Sequence, residues 1–528
     1  MSLDPNRFAL PSEATILWTY ITEDAQELSL LEPRLQRAET LEHDTALASF
    51  AANAAAASAQ VMASQLRLQR AVIQARMRLS RSYMHPIRQL PDDVLREVFL
   101  NILPDMVLET QETWHDPISG GSLSSALELW PWRLAAVSRR WRQLAQATPT
   151  LWANIVVRFN TLSKDHYALA RLCRACELFP EQPLTIFVCG TATPAGWLVK
   201  DHAAIVQSIV SRAVKIYLTD AYDDEVGYIS FNGPTSLLLK QTTACLQHLS
   251  LFKTPRMSMP VPLGFIGDTS QLQSLHIEEW NIFWDAIQPI LSLKAIHLKL
   301  SGLVPCEQLA HIALAAPNVE RLTLVFDFIV ADGGLPPNIA TISFPRARTV
   351  HLDAEFDEIV IRFLRLPNVE TLNLYREKVE LRHTVTMLKG LAPTLPQTLR
   401  TIQLGAFWRP ADDTLSHALR GYDSLERLEL SDVGFKPSFF RAMTTPEGSD
   451  WIMPSLRELV LKQACFKTVE QETGEASLIA FVRARRQAAT TNASIMQPAV
   501  LRRVDITWTT YYVPLAGFEA KLRSILDS

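Results

Sequence analysis

Leu246-Gln-His-Leu249-Ser-Leu251 is the stretch that decides the fold, because its pattern keeps returning. An aliphatic residue, two variable ones, an aliphatic, one variable and a further aliphatic recur at Leu272/Leu275/Ile277, Leu293/Ile296/Leu298, Val319/Leu322/Leu324 and Ala347/Val350/Leu352. The pattern continues at Val369/Leu372/Leu374, Leu399/Ile402/Leu404, Leu425/Leu428/Leu430 and Leu456/Leu459/Leu461, and after a longer gap at Leu501/Val504/Ile506; Ala213/Ile216/Leu218 is an earlier copy. From 246 to 456 the starts are spaced between 21 residues (272 to 293) and 31 residues (425 to 456). Side chains alternate across a strand, so the second and third aliphatics of each copy share one face. One copy cannot bury that face alone, whereas stacked copies bury it in a continuous core.

The period resembles that of leucine-rich repeats, which implies an α/β solenoid for residues 158–528. Segments between copies read as helices, notably Cys306–Ala315 and Asp413–Leu419. The Asn or Cys usual in that family three residues past the third aliphatic is replaced by Thr254, Trp280, Ser301, Asp327 and Glu355 in the first five copies, so the repeats are divergent. The residue between the second and third aliphatics points to the exposed face and gives one row: Ser250, His276, His297, Thr323, His351, Asn373, Gln403, Glu429, Val460 and Asp505. Two residues earlier runs His248, Ser274, Ala295, Arg321, Thr349, Thr371, Thr401, Arg427, Glu458 and Arg503. We take His276, His297, Thr323, His351, Asn373 and Gln403 as the candidate target-binding residues. His248, His276, His297 and His351 lack a carboxylate or thiol at recognisable ligand spacing, so no metal site is expected. Trp280, Trp284, Tyr375, Phe407 and Trp408 are candidate anchors or core residues.

A second pattern precedes the repeats. Ile87-Arg-Gln-Leu-Pro-Asp-Asp-Val-Leu-Arg-Glu-Val-Phe-Leu100 places Pro91 in a first helical turn, Asp92 and Asp93 at the positive end of the helix dipole, and Val94, Leu95, Val98, Phe99 and Ile102 on one stripe. Pro131-Trp-Arg-Leu-Ala-Ala-Val-Ser-Arg-Arg-Trp-Arg-Gln-Leu-Ala145 carries Leu134, Val137, Trp141 and Leu144 at helical spacing, and Leu151-Trp152 follows. Together these motifs resemble the F-box, a three-helix module, and the chain is similar to large fungal (basidiomycete-type) F-box-like families. Two features depart from the family: about 26 residues, 105–130, separate the halves, and Ser138 stands where the family often has Cys. The resemblance implies docking on a Skp1-type adaptor, and through it a cullin, by Ile87, Leu90, Pro91, Val94, Leu95, Val98, Phe99, Val137, Trp141 and Leu144.

Residues 1–85 read as helical. Neither glycine nor proline falls between Pro33 and Pro86, and Ala51–Ala59 is alanine-rich. A helix from Leu35 to Ser82 would span roughly 70 Å. Leu47, Ala51, Ala54, Ser58, Val61, Gln65, Leu68, Val72, Ala75 and Leu79 make a soft coiled-coil seam, which could serve self-association or fold back on the chain. The domain plan is therefore 1–85 helical, 86–157 F-box region with its insertion, and 158–528 repeats.

The chain has 528 residues, 48% hydrophobic and 20% charged, with net charge −4 and six cysteines. That composition suits two or three globular domains with reduced thiols in the cytosol or nucleus. It gives no sign of a nucleic-acid-binding basic face or a membrane span. The arginines of Arg139-Arg140-Trp-Arg142 and Arg483-Ala-Arg-Arg486 are expected to solvate helix faces. Cys173-Arg-Ala-Cys176 is a lone pair without a zinc-finger partner, and no phosphate loop, H-E-x-x-H or G-x-S-x-G occurs. The expectation is a non-catalytic substrate receptor of a Skp1–cullin–F-box ubiquitin ligase, with no cofactor and an unnamed protein target. The alternative is a repeat scaffold that delivers nothing for ubiquitylation.

Overall fold

The glycine-free N-terminal stretch does not form a single rod. In the computed structural model, α1 (Pro11–Leu47) and α2 (Asn53–Tyr83) pack against each other. Asp24–Arg76, Glu32–Arg70 and Glu39–Arg67 pair in opposite order along the two helices, so they are antiparallel. Of the two arrangements the sequence permits, this is the fold-back. Helix α1 also begins well before Leu35 and runs through Pro33. A mid-helix proline costs about 3 kcal/mol, which the burial of Leu31 and Leu35 on either side offsets. The expected seam is wrong in rotation: Val61, Leu68, Val72 and Leu79 are exposed, while Ala59, Ala63, Leu66, Ile73 and Ser80 are buried. The buried Ala59, Leu66, Ile73 and Ser80 lie one residue past the seam positions Ser58, Gln65, Val72 and Leu79, a rotation of roughly 100°.

The structure describes residues 11–47, 53–102, 131–158, 174, 177, 180–189, 209–220, 245–253, 261–262, 268–279, 282–284, 288–330, 341–356, 358–395, 397–407, 409–444, 451–466, 470–490, 498–510 and 512–527. The 105–130 insertion, the Cys173/Cys176 pair, Trp280 and Trp408 lie outside them. Two units, residues 1–153 and 154–528, separate by their internal packing.

After the hairpin comes a single turn at Pro86–Gln89, then α3 (Asp92–Ile102), a helix over 131–137, α4 (Arg139–Gln146) and a turn at Pro149–Trp152. Ser138 divides the second half of this module: its hydroxyl accepts the Trp141 N–H at 3.1 Å and caps α4. Leu95, Phe99, Leu134, Leu144, Leu151 and Trp152 are buried. Phe99 lies 4.8 Å from Trp141, and Trp132 lies 4.9 Å from Trp152 (ring centroids), whose Nε1 donates to the Ala145 carbonyl at 2.8 Å. Arg139 and Arg142 are exposed, while Arg140 and Arg142 also bond within the module. Arg140 pairs with Asp92 at 2.6 Å and donates to the Leu90 carbonyl, and Arg142 Nε donates to the Ala135 carbonyl at 3.0 Å.

The second unit is built on strands β1 (Asn154–Arg158), β2 (Leu184–Cys189), β3 (Ala213–Asp220), β4 (His248–Lys253), β5 (Val261–Pro262), β6 (Ser274–Glu278), β7 (Ile282–Phe283), β8 (Ala295–Pro305) and β9 (Arg321–Val330). It continues with β10 (Ile342–Ser343), β11 (Thr349–Phe356), β12 (Leu364–Arg365), β13 (Thr371–Val379), β14 (Thr401–Phe407), β15 (Arg427–Ser431), β16 (Gly434–Phe435), β17 (Glu458–Phe466) and β18 (Arg503–Trp508). Fourteen of these form one parallel sheet whose spatial order follows the sequence from β1 to β15; β17 then pairs with β15, and β16 and β18 both pair with β17, while β5 pairs with β7, and β10 with β12. Because β1 joins this sheet through β2, the boundary between units falls at 153/154, inside the stretch assigned to the F-box region.

Every template aliphatic from Leu246 to Leu461 is buried, in one continuous cluster. Helices fall where the intervening segments predict them, at Cys306–Ala315 and Asp413–Ala418, with further ones at Leu381–Leu391 and Gln471–Thr490.

The copies are clamped in series at the residue after the first aliphatic. The N–H groups of Gln273, Lys294, Glu320, Arg348, Glu370, Arg400, Glu426 and Arg457 each donate to the carbonyl of the equivalent residue one copy earlier, at 2.7–2.8 Å. Side chains reinforce the clamp: Ser292, Thr398 and Ser424 hydroxyls donate to the Leu272, Val369 and Leu399 carbonyls, while Asn318 and Asn368 amides reach those of Leu291 and Pro345. From Lys294 to Arg457 the clamp residues alternate in charge, and Arg348–Glu370 (3.7 Å) and Arg400–Glu426 (3.3 Å) are ion-paired.

Acidic side chains hold the backbone in the C-terminal part of β8. Glu279 accepts from the Ser301 N–H and hydroxyl, and Asp327 accepts from the Gly302 N–H at 2.7 Å. Glu279, Asp432 and Gln463, each two residues past a third aliphatic, have left-handed backbone (φ 58°, 55° and 49°).

The 483–486 arginines also depart from expectation. Arg485 is fully buried, donating to the Ile452 and Met453 carbonyls between the rings of Trp451 and Phe481. Arg486 donates to the Leu526 carbonyl, and only Arg483 is exposed.

The two α2 stripes are separable by mutation. Leu66→Ala or Ile73→Ala should destabilise the hairpin by about 2–5 kcal/mol. Leu68→Ala or Val72→Ala should change it by no more than about 0.5 kcal/mol. Amide hydrogen exchange of α1 and α2 peptides in the full chain measures both.

Candidate functional site

One face of the parallel sheet is lined by its buried aliphatics. The other carries the variable residues, and parallel pairing converts their sequence spacing into straight rows. Ser250, His276, His297, Thr323, His351, Asn373, Gln403, Glu429, Val460 and Asp505 are successive register partners from β4 to β18. The row from His248 to Arg503 pairs in the same way beside it. All six candidate target-binding residues therefore stand in one line, each half-buried. Trp284 and Phe407 are buried, so they serve the interior. Tyr375 is half-buried; its ring covers Gly405, where a Cβ would meet it at 2.5 Å, and its hydroxyl bonds Asp432 at 3.1 Å.

The two ends of the face differ chemically. Toward the C-terminus its charges neutralise one another. Glu429, almost fully buried, is held by Arg427 at 3.0 Å and by Lys462; Arg427 also pairs with Glu458 at 3.0 Å, and Arg503 with Asp505 at 2.7 Å. Burial raises the Glu429 carboxyl's pKa, but its bonds and charges with Lys462 and Arg427 outweigh that and hold it below the usual range.

Toward the N-terminus the face is aromatic. Phe187 stacks on Tyr217 at 4.8 Å, Phe252 lies 4.9 Å from His276, and His276 lies 4.0 Å from His297 (ring centroids). Glu278, 4% exposed, accepts a 2.8 Å bond from His276 Nε2 and faces Lys299 at 3.6 Å. Among the described residues, the buried His297 Nε2 and Asn373 Oδ1 have no hydrogen-bond partner. Buried polar atoms are normally paired, so the unsatisfied part of this face lies between β6 and β13.

Burial pushes the Glu278 carboxyl up, yet the His276 hydrogen bond and the nearby His276, Lys299 and His297 charges together bring it down to about 2. Burial first, then the His276 charge, lowers His297 to about 3; burial also lowers His351. At neutral pH an ionised carboxylate thus sits beside a neutral imidazole.

Glu278 is the residue the sequence reading missed. It stands two positions after His276 in His276-Ile277-Glu278 and so projects from the same side of β6. One ring nitrogen each from His276 and His297 and a carboxylate oxygen of Glu278 lie within 4.8 Å of one another. The four histidines do not converge. His248 stands in the neighbouring row, and Thr323 separates His351 from His297.

In the helical module the ten expected adaptor-binding residues divide. Leu95, Phe99 and Leu144 are buried and hold the module together. Pro91, Val94 and Val137 are exposed, while Ile87, Leu90, Val98 and Trp141 are half-buried.

Compared with known proteins, the chain matches no family model and no curated relative. Among the described residues no helix is long and apolar enough to cross a membrane.

The depressed His297 and Glu278 values fix a pH dependence. Below 6.5 an unfolded histidine binds a proton that folded His297 refuses until about 3. Below 4.5 an unfolded glutamate does the same relative to Glu278 at about 2. The stability these groups contribute is therefore present near neutrality and lost as pH falls through those windows. Urea unfolding should show wild type losing more stability than His297→Gln between pH 6.5 and 4.5. The difference should be at most about 2 kcal/mol.

Proposed function

We propose that this chain is a substrate-recognition subunit of a Skp1–cullin–F-box ubiquitin ligase. Residues 86–153 act as the F-box, and the sheet acts as divergent leucine-rich repeats that hold a target protein. The observation that carries the reading is the division of the Leu90–Leu100 and Pro131–Trp152 motifs. Leu95, Phe99, Leu144, Leu151 and Trp152 fill the module, while Pro91, Val94 and Val137 stay outside with Leu90 and Val98 partly open. Val94 and Val98, one helical turn apart, share a face of α3 with Pro91 at its start.

Burying one such aliphatic side chain contributes roughly 1.5–3 kcal/mol. Several together offset the loss of rigid-body freedom on association. The chain itself then does no chemistry. It raises the effective concentration of a target near a conjugating enzyme supplied by its partners. The repeat face suits that task, since a row of polar residues with aromatics at one end offers both hydrogen bonding and apolar anchorage.

Pull-down with a Skp1-type adaptor tests the docking half. Wild type should retain the adaptor, and Leu90→Ala/Pro91→Ala or Val94→Asp/Val98→Asp should lose it by about tenfold or more. Unchanged hydrogen exchange over residues 154–528 would show that the repeats remain folded. A folded wild type that leaves the adaptor unbound would sink the reading.

A further inference from the structure

We propose that His276, Glu278 and His297 form a zinc-binding site on the open face of the sheet, with its fourth coordination position directed away from the aliphatic core. The site is assembled across two neighbouring strands. His276 and His297 are register partners on β6 and β8, and Glu278 lies two residues along β6 on the same side. Their donor atoms all lie within 4.8 Å of one another. Around a tetrahedral ion with bonds of about 2.0–2.2 Å, donors sit roughly 3.3–3.5 Å apart. Separations of up to 4.8 Å exceed that by at most about 1.5 Å, which rotation of the imidazoles and the carboxylate can close.

Three further observations favour an ion over a purely structural hydrogen bond. The buried His297 Nε2 has no partner among the described residues, and a structural pair of His276 with Glu278 would leave it unsatisfied. Two imidazoles and one carboxylate are a donor set suited to zinc and poorly suited to calcium or magnesium. Phe252 beside His276 shields one side of the cluster and restricts the ring. Lys299 Nζ, 3.6 Å from Glu278, occupies the role of a counter-cation; its side chain is 41% exposed and is free to swing outward when an ion enters. With three ligands from the chain, water or a donor side chain of a bound protein completes the shell.

Zinc titration of the metal-stripped full chain, read by calorimetry against a competing chelator, tests the site. Wild type should bind one Zn2+ with a Kd below about 1 μM. His297→Gln and Glu278→Gln should each weaken that binding by about 100-fold, with circular dichroism unchanged. Lys299→Ala, which keeps all three donors and removes the competing cation, should bind Zn2+ more tightly than wild type. No wild-type binding, equal binding by His297→Gln, or binding by Lys299→Ala that is unchanged or weaker would each overturn the proposal. Because the readout is the metal alone, its failure is independent of any result with the adaptor.

Discussion

The copy-to-copy backbone clamp is the constraint on which the sheet depends. A parallel ladder slipped by one residue would turn every aliphatic outward and every variable residue inward. The N–H of the residue after each first aliphatic is already committed to the matching carbonyl of the previous copy. That commitment fixes the register before the strand begins. Loops of unequal length can then separate the copies without disturbing the face, because the length difference is absorbed between clamps. The buried aliphatics provide the driving force, and the clamp decides which side of the sheet receives it.

Fixed register makes chemistry additive along a line, and the line is not uniform. At the C-terminal end Arg427, Glu429, Glu458 and Lys462 neutralise one another, so a partner would have to break pairs already made. An exposed pair is worth little, but a buried carboxylate such as Glu429 is expensive to leave unpaired. Between β6 and β13 the balance is reversed. Among the described residues His297 Nε2 and Asn373 Oδ1 are buried without a hydrogen bond. A ligand on His297 satisfies one of them, which is why we place the candidate site there.

Much of this was legible from periodicity. The template named β3, β4, β6, β8, β9, β11, β13, β14, β15, β17 and β18, the side of each residue, and the six candidate members of the exposed row. It could not name β2, whose Ile186 joins the ladder without the preceding aliphatic spacing, nor the two-residue strands β5, β7, β10, β12 and β16. Pattern reading failed for Arg485 as well. An arginine in an Arg-rich run normally solvates a helix, and only the turn at Met453, with its left-handed backbone, presents carbonyls for it to bind. In α2 two apolar stripes fit helical spacing equally well. The choice between them rests on α1, which supplies Leu31, Leu35 and Ala38 to one stripe only. Glu278 was missed because His276 was read with the histidines of other copies instead of with its own strand.

The same division between clamp and face explains how the repeats tolerate their divergence. Asparagine in a repeat turn would satisfy backbone groups with a neutral side chain. Here Glu279 and Asp327 do so with charged ones, and they do it across neighbouring copies. Charge-assisted bonds are stronger than neutral ones, so a copy that lacks asparagine can remain anchored. They also restrict which residue may follow: Gly302 has a backbone φ of 95°, which favours glycine, and its N–H is already bonded to Asp327. Two linked pairs, Glu279 with Ser301 and Asp327 with Gly302, thus anchor neighbouring copies. The aliphatic template remains readable because the substitutions stay outside the core.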